Sequence, residues 1–140
     1  MITVQLTELD LLESWQEECP ESRTRASFPL VGMSDTKSLG VVYFEVEPGN
    51  MLASHTDSQD EILVLLSGSG EGTIGEETGQ LRAGALVFIP AMVPHWFRNT
   101  GTETLHCVGI FAGANVVSTF EHALQPMGMR VLEHQALAAV

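Results

Sequence analysis

Residues 49–68 read GNMLASHTDSQDEILVLLSG, and residues 84–99 read GALVFIPAMVPHWFRN. In both stretches β-prone residues lie between glycines and other turn formers, the pattern of short antiparallel strands joined by tight connections. His55 and Asp57 are two apart, so a strand turns both side chains to one face. Glu61 follows a short connection and is placed to open the next strand with its carboxylate toward them. Gly49 and Gly68 supply the turns at either end. In the second stretch Gly84 opens a strand and Pro90 opens a turn. His95 then begins a return strand that closes at Asn99.

The same texture extends outward. Residues 41–47 are β-rich and end at Pro48-Gly49. Further strands are expected at 51–55, 61–66, 70–74, 86–89, 93–98 and 104–111. Turn signals separate them at 67–70, 75–79, Pro90 and 99–101. Many short strands at this spacing indicate an all-β sandwich or barrel rather than a parallel α/β sheet. The Gly68-x-Gly70-x-Gly72 run has no helix after it and reads as a hairpin turn, not a phosphate loop. Toward the ends the reading changes. Residues 7–18 are expected to be a helix, capped by Thr7, with acids in the first turn and Leu9, Leu12 and Trp15 at helical spacing. Pro20 would stop it. Residues 21–40 read as irregular. Residues 116–124 fit a second helix halted by Pro126, and 136–140 form an apolar tail.

The chain has 140 residues, which suits one domain with a core about 40–112, an N-terminal helix and arm at 1–39 and a C-terminal extension at 113–140. Six Lys+Arg against 18 Asp+Glu give a formal charge of −12. Such a surface repels phosphates, so neither nucleic acid nor an anionic membrane is an expected partner. The longest apolar run, 62–66, is far shorter than the ~20 residues of a spanning helix. The first residues lack the basic and apolar regions of a secretory signal, so a cytoplasmic location is expected. Cys19 and Cys107 make no disulfide framework.

The two stretches resemble the paired signatures of the cupin superfamily. That pattern is G-x5-H-x-H-x3,4-E-x6-G, then a variable stretch, then G-x5-P-x-G-x2-H-x3-N. The chain departs from it at two fixed positions. Asp57 stands where the family usually has a second histidine, and Met92 where it usually has glycine. The resemblance implies a small double-stranded β-helix, or jelly-roll barrel, with a divalent transition metal near its axis. Carried over by position, the ligands are His55, Glu61 and His95, with Asp57 in the fourth place. Such a set suits Fe(II) or Mn(II), with Ni(II) and Zn(II) as alternatives. Three arrangements stay open. Asp57 and Glu61 both ligate; or only one does, leaving Glu61 free as a general base; or Asp57 is too short to reach.

The pocket is expected to be apolar, with Phe44, Met51, Leu63, Met92 and Phe97 on its walls. Met92 would fill its mouth, and Phe97 would join His95 inside while Trp96 and Arg98 face out. Leu65, Phe88 and Phe111 are read as core. Arg23 and Arg25 pair with surface acids or hold a substrate carboxylate. His106, His122 and His134 are given no functional role. A metal-dependent enzyme acting on a small carboxylate, enol or catechol-like substrate is expected, with Asp57 or Glu61 moving protons. Dioxygenase chemistry is favoured over isomerase, lyase or decarboxylase chemistry and over a binding module without turnover. The resemblance further implies a homodimer.

Overall fold

The computed structural model describes residues 1–31 and 36–138. Twelve strands form two six-stranded antiparallel sheets that face each other. One sheet has the order β1 (Leu12–Trp15), β2 (Arg23–Leu30), β3 (Gly40–Val46), β10 (Leu105–Phe111), β5 (Glu61–Ser67) and β8 (Leu86–Ile89). The other has β12 (Met129–Glu133), β11 (Val117–Leu124), β4 (Met51–Asp57), β9 (His95–Arg98), β6 (Ser69–Ile74) and β7 (Glu77–Arg82). Among the described residues, helix is confined to a 3-10 turn at Leu6–Glu8 and a short α1 at His134–Ala138. This is the expected all-β jelly roll. Among the described residues no helix is long and apolar enough to cross a membrane.

Alternation explains the central strands. In β10, Leu105, Cys107 and Phe111 are buried while Ile110 points out. In β5, Glu61, Leu63 and Leu65 are buried while Ile62 and Leu66 are exposed. These inward side chains meet Val42, Phe44, Val46, Ile89, Phe97 and Val116 in the main core. Phe88, expected in the core, is instead exposed, because it alternates with the buried Ile89. Asn99 closes the second motif from inside. Its amide donates to the carbonyls of Val46 and Glu103 at 2.8 Å each, and its carbonyl accepts the Gly101 N–H at 2.9 Å.

Three segments differ from the sequence reading. The expected helix at 7–18 is the 3-10 turn followed by β1. There Leu12 and Ser14 line the interior, and the Ser14 and Thr24 hydroxyls are hydrogen-bonded at 3.1 Å. The segment read as irregular contains β2, with Thr24, Ala26 and Phe28 turned inward; residues 32–35 of it lie outside the described residues. A register shift between Ser27 and Leu30 accommodates Pro29, which has no N–H for the ladder. The expected helix at 116–124 is strand β11, paired to β4 and β12. Residues 136–138 of the apolar tail belong to α1, and 139–140 lie outside the described residues. Strand β7 carried no apolar alternation to reveal it, since nearly all of it is exposed.

Met92 does not fill the cavity mouth. Its side chain is 62% exposed, and its backbone has φ of 66°. That left-handed conformation explains why glycine is usual there, since a Cβ costs about 1–2 kcal/mol in it. Met92→Gly should therefore raise stability by about 1 kcal/mol, read as a higher urea midpoint at unchanged m-value.

Candidate metal centre

The site is built on neighbouring strands of one sheet. In the pairing of β4 with β9, His55 lies directly opposite His95, with ring centroids 4.2 Å apart. Asp57 is two residues on and faces the same way. Both imidazoles are oriented alike. Nδ1 of His55 donates to the Ala53 carbonyl at 2.8 Å, and Nδ1 of His95 to the Val93 carbonyl at 2.9 Å. With Nδ1 carrying the proton, each Nε2 presents its lone pair to the cavity. The Phe120 ring stacks on His55 at 4.6 Å, from the position opposite it on β11.

Asp57 Oδ2 is 3.4 Å from Nε2 of His55 and 3.2 Å from Nε2 of His95. Two donors each about 2.1 Å from one ion lie roughly 3 Å apart when adjacent, so this spacing fits a divalent metal. His55, Asp57 and His95 thus form a group that can hold one. Nε2 of His95 is buried without a hydrogen-bond partner, as expected of a metal-facing lone pair. Glu61 comes from the opposite sheet as the first residue of β5. Its Oε1 is 3.8 Å from Nε2 of His95, outside the tight group of three. The carboxylate fits because position 109 is glycine: a Cβ there would lie 2.0 Å from Glu61 Oε2.

The electrostatics separate the two carboxylates. Burial pushes Asp57 up, but the two imidazoles beside its carboxyl, His55 before His95, outweigh it. Asp57 is left below the usual carboxylate range. Burial, with the Asp57 charge, raises Glu61 well above its ordinary value. Burial and the Glu61 charge likewise push the Cys107 thiol up to about 12. Two groups that have no role in the sequence reading complete the site. Ser118, opposite Asp57 on β11, lies 2.5 Å from Asp57 Oδ1 and 2.7 Å from Nε2 of His134. His134, given no role from sequence, is buried at the start of α1 against the rings of Phe28 and Phe111. Burial lowers it to about 4.

The cavity over these groups measures about 80 Å³, and Phe44, Leu63 and Phe97 lie on its walls. Met51 and Met92 are not on them. A bulge in β4 between Leu52 and His55 reverses the alternation, so Leu52 takes the inward place. Met51 turns to Arg98, whose guanidinium lies 3.4 Å from its Sδ. No Lys or Arg lines the cavity. Arg23 pairs with Glu13 at 3.0 Å and lies over the Trp15 ring, and Arg25 pairs with Glu45 and Glu47, so both are engaged at the surface. His106 bonds the Tyr43 hydroxyl at 2.6 Å on the outer face. Cys19 and Cys107 are both free thiols.

A family profile described as Cupin domain matches residues 42–111. An uncharacterized protein of Streptomyces coelicolor is 29% identical over 76 residues, covering 54% of this chain and 71% of that one. Among solved structures, a predicted oxalate decarboxylase of Thermotoga maritima superposes with a TM-score of 0.68 at 16% identity, covering 80% of this chain and 99% of the other. The Bacillus subtilis oxalate decarboxylase, described with Mn(II) centres, superposes with a TM-score of 0.62 at 20% identity. That match covers 76% of this chain and 30% of the other. At these identities the structural likeness speaks to the fold.

The raised Glu61 carboxyl has a measurable consequence in chelated protein. The folded state holds the Glu61 proton more tightly than the unfolded chain does. Ionising the unfolded chain therefore draws the equilibrium away from the fold as pH rises above the ordinary carboxylate value. Glu61→Gln removes this loss. Its urea midpoint should match wild type near pH 4 and exceed it increasingly toward pH 8.

Proposed function

The chain belongs to the Cupin domain family, and on that premise we propose that it is a metal-dependent enzyme, a non-haem dioxygenase acting on a small, mostly apolar substrate with a carboxylate, enol or catechol-like group. One observation carries this reading. Two imidazole Nε2 atoms lie 3.4 and 3.2 Å from one carboxylate oxygen, in an apolar cavity that has no cationic side chain among the described residues. Two histidines and one carboxylate with open positions are the donor set of non-haem Fe(II) oxygenases. Bound Fe(II) or Mn(II) would supply Lewis acidity and a redox couple for O₂.

The chain's own residues do the rest. His55, Asp57 and His95 would hold the ion. Phe44, Leu63, Phe97 and Phe120 exclude water and receive an apolar substrate body. Asp57 and Glu61 face that cavity with no Arg or Lys to offset a second substrate charge, so phosphates and small dicarboxylates fit poorly. Glu61, whose carboxyl is raised by burial and the Asp57 charge and lies 3.8 Å from His95, can deliver or accept a proton. That placement favours a second reading, an isomerase, lyase or decarboxylase in which Glu61 is the general acid-base.

Elemental analysis of protein purified without chelators tests the premise, and near one Fe or Mn per chain is expected. His55→Ala and His95→Ala should each lose at least about tenfold in metal affinity. Oxygen uptake with a panel of small enols and catechols then separates the readings. Consumption of O₂ supports the dioxygenase, and anaerobic turnover that disappears in Glu61→Gln supports the acid-base alternative. A chain that takes up no divalent metal would overturn both.

A further inference from the structure

Asp57 is a short carboxylate with two equivalent oxygens, and its rotation about χ2 is broad by nature. Left alone it could chelate through both oxygens or swing away from the two histidines. Instead each oxygen is committed. Oδ2 faces Nε2 of His55 and His95, while Oδ1 lies 2.5 Å from Ser118 Oγ. The oxygen-to-oxygen contact requires one proton, and the serine hydroxyl donates it to Oδ1. Ser118 Oγ is then an acceptor toward Nε2 of His134, 2.7 Å away. Because the serine proton is engaged, the His134 ring must carry its own proton on Nε2. Nδ1 is then left as a lone pair, and it is the ring atom that is buried without a partner. Burial keeps the ring neutral, with one proton to place. The hydrogen bonds thus run one way, from His134 N–H to Ser118 Oγ and from Ser118 O–H to Asp57 Oδ1.

We propose that Ser118 and His134 are positioning residues that make Asp57 a one-oxygen metal ligand, occupying Oδ1 so that Oδ2 alone is presented beside His55 and His95. The inference rests on the metal-site reading above. Both residues lie outside the stretch matched by the family profile, on β11 and α1. They answer the feature by which this chain departs from the family pattern, a carboxylate in an imidazole's place. An imidazole is aimed by one hydrogen bond from its second nitrogen, as His55 and His95 are here. A carboxylate needs its second oxygen held.

Titration with Mn(II) alone, read by calorimetry and by the electron paramagnetic resonance of the bound ion, tests this. Ser118→Ala should weaken Mn(II) binding by about 10–100-fold and change the zero-field splitting as Asp57 turns to two-oxygen chelation or leaves. Ser118→Thr keeps the hydroxyl and should restore affinity to within about threefold of wild type, with the wild-type spectrum. A folded Ser118→Ala protein with wild-type affinity and spectrum would overturn the proposal. Should that variant fail to fold, the His134 pair decides. His134→Gln keeps an N–H donor, and His134→Phe keeps the ring without one. Weaker binding in the phenylalanine variant only supports the relay, and equal binding in both overturns it. Wild-type protein that binds no Mn(II) removes the metal reading, and this inference with it. Wild-type binding with indifferent variants removes this inference alone.

Discussion

A carboxylate taken out of water costs several kcal/mol unless its neighbours replace the lost hydration. Asp57 is buried, and its surroundings are arranged around that cost. Two imidazoles approach one oxygen and a serine hydroxyl approaches the other. Each partner sits where the register puts it: His55 two residues earlier on β4, His95 across on β9, Ser118 across on β11. A slip of one residue in either pairing would turn the corresponding partner to the other face. The ladder of β11, β4 and β9 is therefore both the wall of the barrel and the frame of the site.

The parts of the fold that were legible in the sequence are those whose inner face is apolar. In β5 and β10 a buried hydrophobe alternates with an outward residue, and the period of two is plain. The misread segments share the opposite property. Strands β1, β2 and β11 turn Ser14, Thr24 and Ser118 inward. A polar residue at an inward position erases the hydropathy period, and the remaining apolar residues then fit helical spacing by accident. In residues 116–124 the bulge between Thr119 and Leu124 adds to this by breaking the alternation outright. The strands that complete the cavity were thus the hardest to see.

The same reasoning divides the site. His55, Asp57, Glu61 and His95 were found because two turn-bounded motifs hold them at fixed spacing. Whether Asp57 reaches its neighbours was left open, and the geometry brings it to 3.2–3.4 Å of both imidazoles. Ser118 is 61 positions from Asp57, and serine followed by threonine in an apolar run carries no signal by itself. His134 had no strand context at all. What locates both is strand register, which is a tertiary fact. Glycine at position 109 belongs to this group too. It reads as an ordinary small residue in β10, and only the built structure shows that Glu61 occupies the space its side chain would need.

The division of the site between the sheets has a mechanical side. His55, Asp57, His95 and Ser118 ride on one hydrogen-bonded sheet and keep their mutual distances when that sheet moves as a body. Glu61 rides on the other sheet, tied to Asp57 by the short connection at residues 58–60 and otherwise by side-chain packing. Any sliding of one sheet over the other would change the 3.8 Å gap between Glu61 and His95 more than the spacing within the group of three. The barrel is in this sense a vernier. The stiff scale carries the group of three, the sliding scale carries the Glu61 carboxyl, and core residues such as Leu63 and Phe97, which also line the cavity, set where it reads.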